Sequence, residues 1–154
     1  MTSLIARALI SGTLAAAATA VAASLAGRRA TGSYAASLNA TSHIVWGEDA
    51  ARQNAGSLKY TATGLALNYG ASIFWALCYE WAAGRGRRSR RRALLSGTSV
   101  AAVAYLTDYH VVPQRLTPGF EMRLPGKGLA WIYAALALGL CARDLPQNKL
   151  DRNL

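Results

Sequence analysis

Acidic residues are scarce in this chain of 154 residues: seven Asp and Glu stand against seventeen Lys and Arg, giving a net charge of +10. Charged residues of both signs make up only 16% of the sequence, whereas soluble domains contain roughly 25%. These charges are also clustered, which is not typical of a soluble helical protein. Hydrophobic residues account for 53%. The composition therefore favours a single membrane domain.

Cysteines and catalytic motifs are equally sparse. The two cysteines, Cys78 and Cys141, lack metal-ligand spacing and are too few for a disulfide framework, so we expect buried, reduced thiols. The sequence contains no nucleophile elbow and no phosphate-binding glycine loop. We therefore assign no catalytic residue, no metal ligand and no cofactor, and the balance favours a protein that is not an enzyme.

Four apolar runs approach or exceed the roughly 20 helical residues that cross a bilayer. They predict an all-α integral membrane bundle of four transmembrane helices, with an interfacial helical loop between helices one and two. The predicted spans are residues 4–26, 60–83, 93–112 and 128–142, within one domain that covers residues 1–154. The fourth span is short, so Lys127 and Arg143 at its ends are expected to reach outward to the membrane surfaces.

Six arginines lie in the eight residues 85–92, between the second and third runs. Because basic residues near span ends resist translocation, this loop is predicted to be cytoplasmic, which places both termini in the cytoplasm. The arginines predicted to contact anionic lipid headgroups are Arg85, Arg87, Arg88, Arg90, Arg91 and Arg92. Nucleic-acid binding is the alternative, but a short run flanked by spans favours lipid. Fourteen Arg against three Lys suggest a bacterial protein, and hence the inner membrane.

The first span is rich in Ala, Ser and Gly. Small residues let helix backbones approach closely in a bilayer, so this helix is expected to pack against the others. A cleaved signal peptide is the alternative, because Ala-Val-Ala at positions 20–22 resembles a cleavage site. The weakly charged N-terminus and the length of the apolar run favour a retained span.

The loop after the first span is predicted to contain an amphipathic interfacial helix over residues 33–46, anchored by Tyr34, Leu38 and Trp46. Ser57 is the predicted N-cap of the second span. One face of that span is expected to point towards other helices and to make the span the core of the bundle. The residues on this face are Thr61, Leu65, Asn68, Ser72, Trp75 and Tyr79.

Four short motifs accompany the spans: Trp46-Gly47-Glu48, Phe74-Trp-Ala-Leu-Cys-Tyr-Glu80, Leu116-Thr-Pro118 and Arg143-Asp144. Over residues 4–145 this layout resembles small bacterial inner-membrane proteins of the YagU-like, uncharacterised kind, although the loop between spans one and two is shorter here. The resemblance implies a membrane location and no particular chemistry.

Ionisable and polar residues near the outer ends of the spans form the candidate site. We predict a polar pocket in which His43, Asp108 and His110 meet, with Asn68 and Tyr105 nearby. Such a pocket would respond to external acidity or hold a cation. A metal site that adds Glu48 and Asp49 is one alternative, but the ligand spacing does not support it. Unpaired residues facing headgroups are another.

The sequence thus predicts a non-catalytic accessory or structural membrane bundle. Its expected partners are anionic lipids and a second protein or a second copy of this chain, and no nucleic acid. The alternative is a small transporter, a channel subunit or a membrane enzyme that uses the outer polar pocket.

Overall fold

The computed structural model describes residues 3–84 and 88–145, which form helices joined by turns, so the predicted all-α class is confirmed. The α-helices are α1 (Leu4–Thr31), α2 (Ala36–Thr41), α3 (His43–Trp46), α4 (Glu48–Ala51), α5 (Thr63–Ala82), α6 (Arg90–Leu106) and α7 (Gly126–Cys141). A π-helical turn, Leu58–Ala62, precedes α5, and a second, Thr107–Val111, continues α6. Short 3-10 turns are Gln114–Leu116, Phe120–Met122 and Ala142–Asp144.

The four long helices coincide with the four predicted apolar runs. In α1 the helix continues five residues beyond the predicted end and stops at Gly32, whose positive φ of 79° suits a residue without a side chain. Ser57 caps the π-turn before α5, because its side chain accepts a hydrogen bond from the Tyr60 backbone N–H. Ser89 caps α6 in the same way, through the Arg92 N–H.

Helix α1 is the central element, since it packs extensively against both α5 and α7, whereas α6 packs mainly against α7. The prediction that the second span forms the core of the bundle is therefore wrong. The physical reason is side-chain size. The buried face of α1 consists of Ala, Gly, Ser and Thr, which let two helices approach its backbone. At Gly139 of α7 the approach is so close that a Cβ would overlap the Ala15 backbone.

The predicted rotation of α5 is confirmed for Asn68, Ser72 and Tyr79 but is wrong for Leu65, which is 41% exposed. Asn68, Ser72 and Tyr79 are buried, whereas Phe74 and Ala71 on the other side are exposed. Asn68 donates from Nδ2 to the Ala16 carbonyl of α1 at 3.1 Å, and its Oδ1 accepts from Thr19 at 3.0 Å. Asn68 thus hydrogen-bonds to the neighbouring helix α1, which is how a buried amide avoids an unsatisfied group.

The loop after α1 differs from the single surface helix predicted for residues 33–46. Helices α2 and α3 are separate, and every residue from 36 to 43 is buried. Leu38, a predicted membrane anchor, faces the interior together with Ala23, Phe120 and Ile132. Asn39 holds the loop closed, because its Nδ2 donates to the carbonyls of Gln53 and Ala55 and its Oδ1 accepts from Thr61. Tyr34 and Trp46 are exposed, as an anchoring role requires.

Large and small apolar side chains are distributed unevenly around the bundle. Most of the buried apolar residues of the main core are alanines, with Tyr79, Leu136 and Leu140 among the few larger ones. Large apolar side chains project outward from every long helix. Within the described residues, α1 is the one helix that is both long enough and apolar enough to cross a membrane by length and composition alone.

Candidate functional site

Glu80 lies at the centre of a charged cluster at one end of the bundle. Its side chain is 0% exposed. Its carboxylate accepts hydrogen bonds from Arg88 Nη2 at 2.9 Å, from Arg7 Nε at 3.2 Å and from Arg143 Nη2 at 3.4 Å. Ser11 Oγ adds a fourth donor at 2.6 Å. A buried carboxylate with this many charge-assisted donors is well compensated for the water it loses.

A second carboxylate completes this cluster. Asp144 accepts from Arg88 Nη1 at 3.1 Å and from the Tyr79 hydroxyl at 2.9 Å. The Arg88 guanidinium also lies over the Tyr79 ring, with its carbon 4.2 Å from the ring centroid, where a cation is attracted to the aromatic face. We call this set the Glu80 cluster: Arg7, Ser11, Tyr79, Glu80, Arg88, Arg143 and Asp144.

The four long helices bring the Glu80 cluster together from distant parts of the sequence. Arg7 and Ser11 come from the first turns of α1, Glu80 from the last turn of α5, Arg88 from just before α6, and Asp144 from just after α7. Ser11 donates to Glu80, but both side chains are buried and three arginines engage the same carboxylate, so the geometry supports a role in joining the helix ends. The sequence patterns did not predict this cluster. The sequence feature that could have indicated it is that these charged residues lie near the ends of apolar runs on the predicted cytoplasmic side.

Asp108 lies at the opposite end, because α5 and α6 run in opposite directions. It belongs to the π-helical turn that ends α6, a departure from regular helix often found at functional sites. Its Oδ2 accepts a hydrogen bond from the Tyr133 hydroxyl of α7 at 2.5 Å. Tyr133 contacts Tyr105 edge to face, with ring centroids 5.3 Å apart, and Tyr109 in a similar way.

A cavity of about 230 Å³ opens beside Asp108, between α1, α5, α7 and the loop segments. Its polar lining includes Asp108 and Tyr133, together with Asn68, Ser72 and Thr19. The rest of the lining is mostly apolar; it consists of Thr41, Ile44, Leu67, Ala71, Trp75, Leu116, Pro118, Phe120, Ile132 and Leu136. The cavity therefore combines one carboxylate with aromatic and aliphatic walls.

The structure brings together some of the predicted pocket residues and separates others. Asn68 and Asp108 line the same cavity, and Tyr105 packs against Tyr133 next to Asp108. His110 is exposed and lies edge-on to Tyr105. His43 is buried in α3, where its Nδ1 pairs with the Ala40 carbonyl at 2.9 Å. Neither histidine lines the cavity.

The arginines predicted to contact lipid headgroups lie in different surroundings. Arg85 and Arg87 lie outside the described residues. Arg88 is turned inward to Glu80, whereas Arg90, Arg91 and Arg92 form the exposed first turn of α6. A helix N-terminus carries partial positive charge, so three arginines there do not serve the stability of α6 itself.

Comparisons with known proteins do not assign this chain to a family. No protein-family model, curated protein or solved structure matches this chain. Among residues 3–84 and 88–145, no group of three or more His, Cys, Asp or Glu side chains is placed to hold a metal ion. Candidate functions therefore rest on the geometry of the two bundle ends.

Proposed function

We propose that this chain is a four-span protein of the bacterial inner membrane that acts as a non-catalytic accessory or structural bundle, working through lipids and a partner protein or a second copy of itself. The single observation that carries the proposal is the inverted distribution of side-chain size. Small residues fill the interior, and large apolar residues such as Phe74, Leu95 and Trp131 cover the outside. Water would oppose that arrangement, whereas lipid tails accommodate it.

Exposed basic residues at both ends of the bundle support contact with lipid headgroups. Arg90, Arg91 and Arg92 are exposed at the Glu80 end, which suits contact with cytoplasmic anionic headgroups. At the other end, a groove of about 690 Å³ runs between α1 and α7, with apolar walls and two basic residues, Arg29 and Lys127, in its lining. Trp131 lines it as well, and Trp is enriched at membrane interfaces.

A lipid-soluble carbene precursor, activated in native membranes and mapped by mass spectrometry, tests this proposal. We expect modification of Phe74, Leu95 and Trp131 and protection of Ala76, Ala93 and Leu140, which are buried in the bundle. The protein is also expected to stay in the membrane after extraction with alkaline carbonate. Release by carbonate, or equal labelling of both sets in folded protein, would contradict a membrane-embedded bundle.

A second candidate, a small transporter or channel subunit, is favoured by one observation: Asp108 lines a cavity between helices. Ionisable groups inside a membrane domain often mark a solute or proton path. Asp108→Asn separates the two functions. If the protein is a transporter, the variant should lose solute flux across the membrane while its protein level stays normal. If the protein is an accessory bundle, cells with the variant should grow normally and the partner protein should be recovered in the same amount.

A further inference from the structure

The carboxylates of the described residues differ in whether a basic side chain pairs with them. Glu80 and Asp144 pair with arginines, and Asp49 pairs with Arg52 at 3.8 Å on the surface. Asp108 is half-buried, and within residues 3–84 and 88–145 no Lys, Arg or His lies within ion-pair distance of it. Its hydrogen-bond donor there is the Tyr133 hydroxyl.

Nearby groups increase the negative charge at this site. Glu121 is close enough to act electrostatically on Asp108, and its own hydrogen-bond donor is the Thr117 hydroxyl at 2.5 Å. Asn68 and Thr19, the polar groups across the cavity, are engaged with each other and with α1. Charged groups away from water are ordinarily paired, whereas the Asp108 carboxylate has no cationic partner among the described residues.

We infer that the cavity beside Asp108 binds a small organic monocation, an ammonium group attached to an apolar body. The Asp108 carboxylate pairs with the ammonium, while Trp75, Phe120 and Leu136 of the lining contact the apolar part. Aromatic rings near a cation add to this preference. The inference rests on the proposed membrane location, because a low-dielectric setting strengthens the pairing of the two charges.

The size and lining of the cavity narrow the ligand class. A volume of about 230 Å³ lies below the roughly 300–1,000 Å³ of pockets for drug-sized molecules, so the ligand is small. An inorganic divalent ion would require about six oxygen ligands, and the mostly apolar walls do not supply them. A neutral apolar molecule would leave the carboxylate without a partner.

Binding of 2-phenylethylammonium to the purified full-length protein in detergent micelles, measured by calorimetry, tests this inference. The neutral analogue 2-phenylethanol serves as the ligand control. We expect the ammonium to bind at least about tenfold more tightly than the alcohol, because hydrogen bonds to charged groups are the stronger class. Asp108→Asn should remove that difference, whereas Asp49→Asn, which neutralises an exposed carboxylate, should leave it unchanged.

A second variant keeps the test informative if Asp108→Asn does not fold. Ala71→Phe fills space from an exposed position in the cavity wall without changing any charge, so it should weaken binding of ammonium and alcohol alike. Absence of ammonium binding to folded wild-type protein overturns the inference, as does equal affinity for both ligands. Either result leaves the carbonate and carbene tests of membrane location unaffected, so the two proposals fail separately.

Discussion

Glu80 and Asp108 carry the same charge at opposite ends of one bundle, and their surroundings differ in almost every respect. Glu80 is fully buried among three arginines and a serine, whereas Asp108 is half-buried, bonded to one tyrosine and open to a cavity. The Glu80 carboxylate is paired with several donors, whereas the Asp108 carboxylate has no cationic partner among the described residues. We infer that the Glu80 end holds the helices together and that the Asp108 end is available to bind a ligand.

The largest expected effect comes from removing the charge at the saturated end. Glu80→Gln leaves three arginines facing a neutral group, so we expect a loss of about 3–5 kcal/mol in the free energy of unfolding. Asp108→Asn should cost less, because no basic partner is stranded. Unfolding of both variants in detergent micelles measures the difference. Equal losses would remove the distinction between the two ends.

The arginines of the Glu80 cluster should differ in importance according to their burial. Arg88 side-chain exposure is 6%, that of Arg7 is 13% and that of Arg143 is 29%. Arg88 also binds Asp144, so Arg88→Gln should cost about 2–3 kcal/mol. Arg143→Gln should cost about 1 kcal/mol or less, because solvent screens a more exposed pair. The same micelle unfolding assay ranks them, and a larger effect at Arg143 would refute the ranking.

The close contact between α1 and α7 near the Glu80 end gives a further test. Gly139→Ala pushes a methyl group into the Ala15 backbone, so we expect a loss of about 1–3 kcal/mol in unfolding free energy. Gly70→Ala is the matched control in α5, because a Cβ there meets nothing within 4 Å. That control should be neutral or stabilising by up to about 1 kcal/mol, through helix propensity. Similar behaviour of the two alanines would argue against the close α1–α7 contact.

A small effect is also expected at the Asp108 end. Tyr133→Phe removes the hydroxyl that donates to Asp108, and we expect a loss of about 0.5–1.5 kcal/mol. Tyr69→Phe removes an exposed hydroxyl that pairs with Thr13 at 3.1 Å, and should change stability even less. A loss at Tyr133 as large as that for Glu80→Gln would show that the Asp108 end is also a structural lock.

Local sequence patterns predicted the helices because apolar runs, the Ser57 cap and the spacing of Asn68, Ser72 and Tyr79 are all short-range signals. They did not predict that α1 is central, since that depends on how closely backbones fit against its small residues. Burial of Leu38 was also missed, because it follows from the loop folding back onto the bundle.

The candidate site was predictable only in part, for a similar reason. Asp108 and Asn68 stood out as polar groups in apolar runs, and they do line one cavity. The Glu80 cluster joins Arg7 to a residue 73 positions away, which no local pattern encodes. The separation of His43 from the cavity was equally hidden, because it depends on a short helix turning its side chain towards the Ala40 carbonyl.

We propose a four-span bundle with the Glu80 end in the cytoplasm and the Asp108 end outside. Single cysteines at Ser89→Cys and Asn54→Cys, both exposed, test it in a background with Cys78→Ala and Cys141→Ala. A membrane-impermeant maleimide should label position 54 in intact cells and position 89 only after permeabilisation. Labelling of both positions from the same side would contradict the claim.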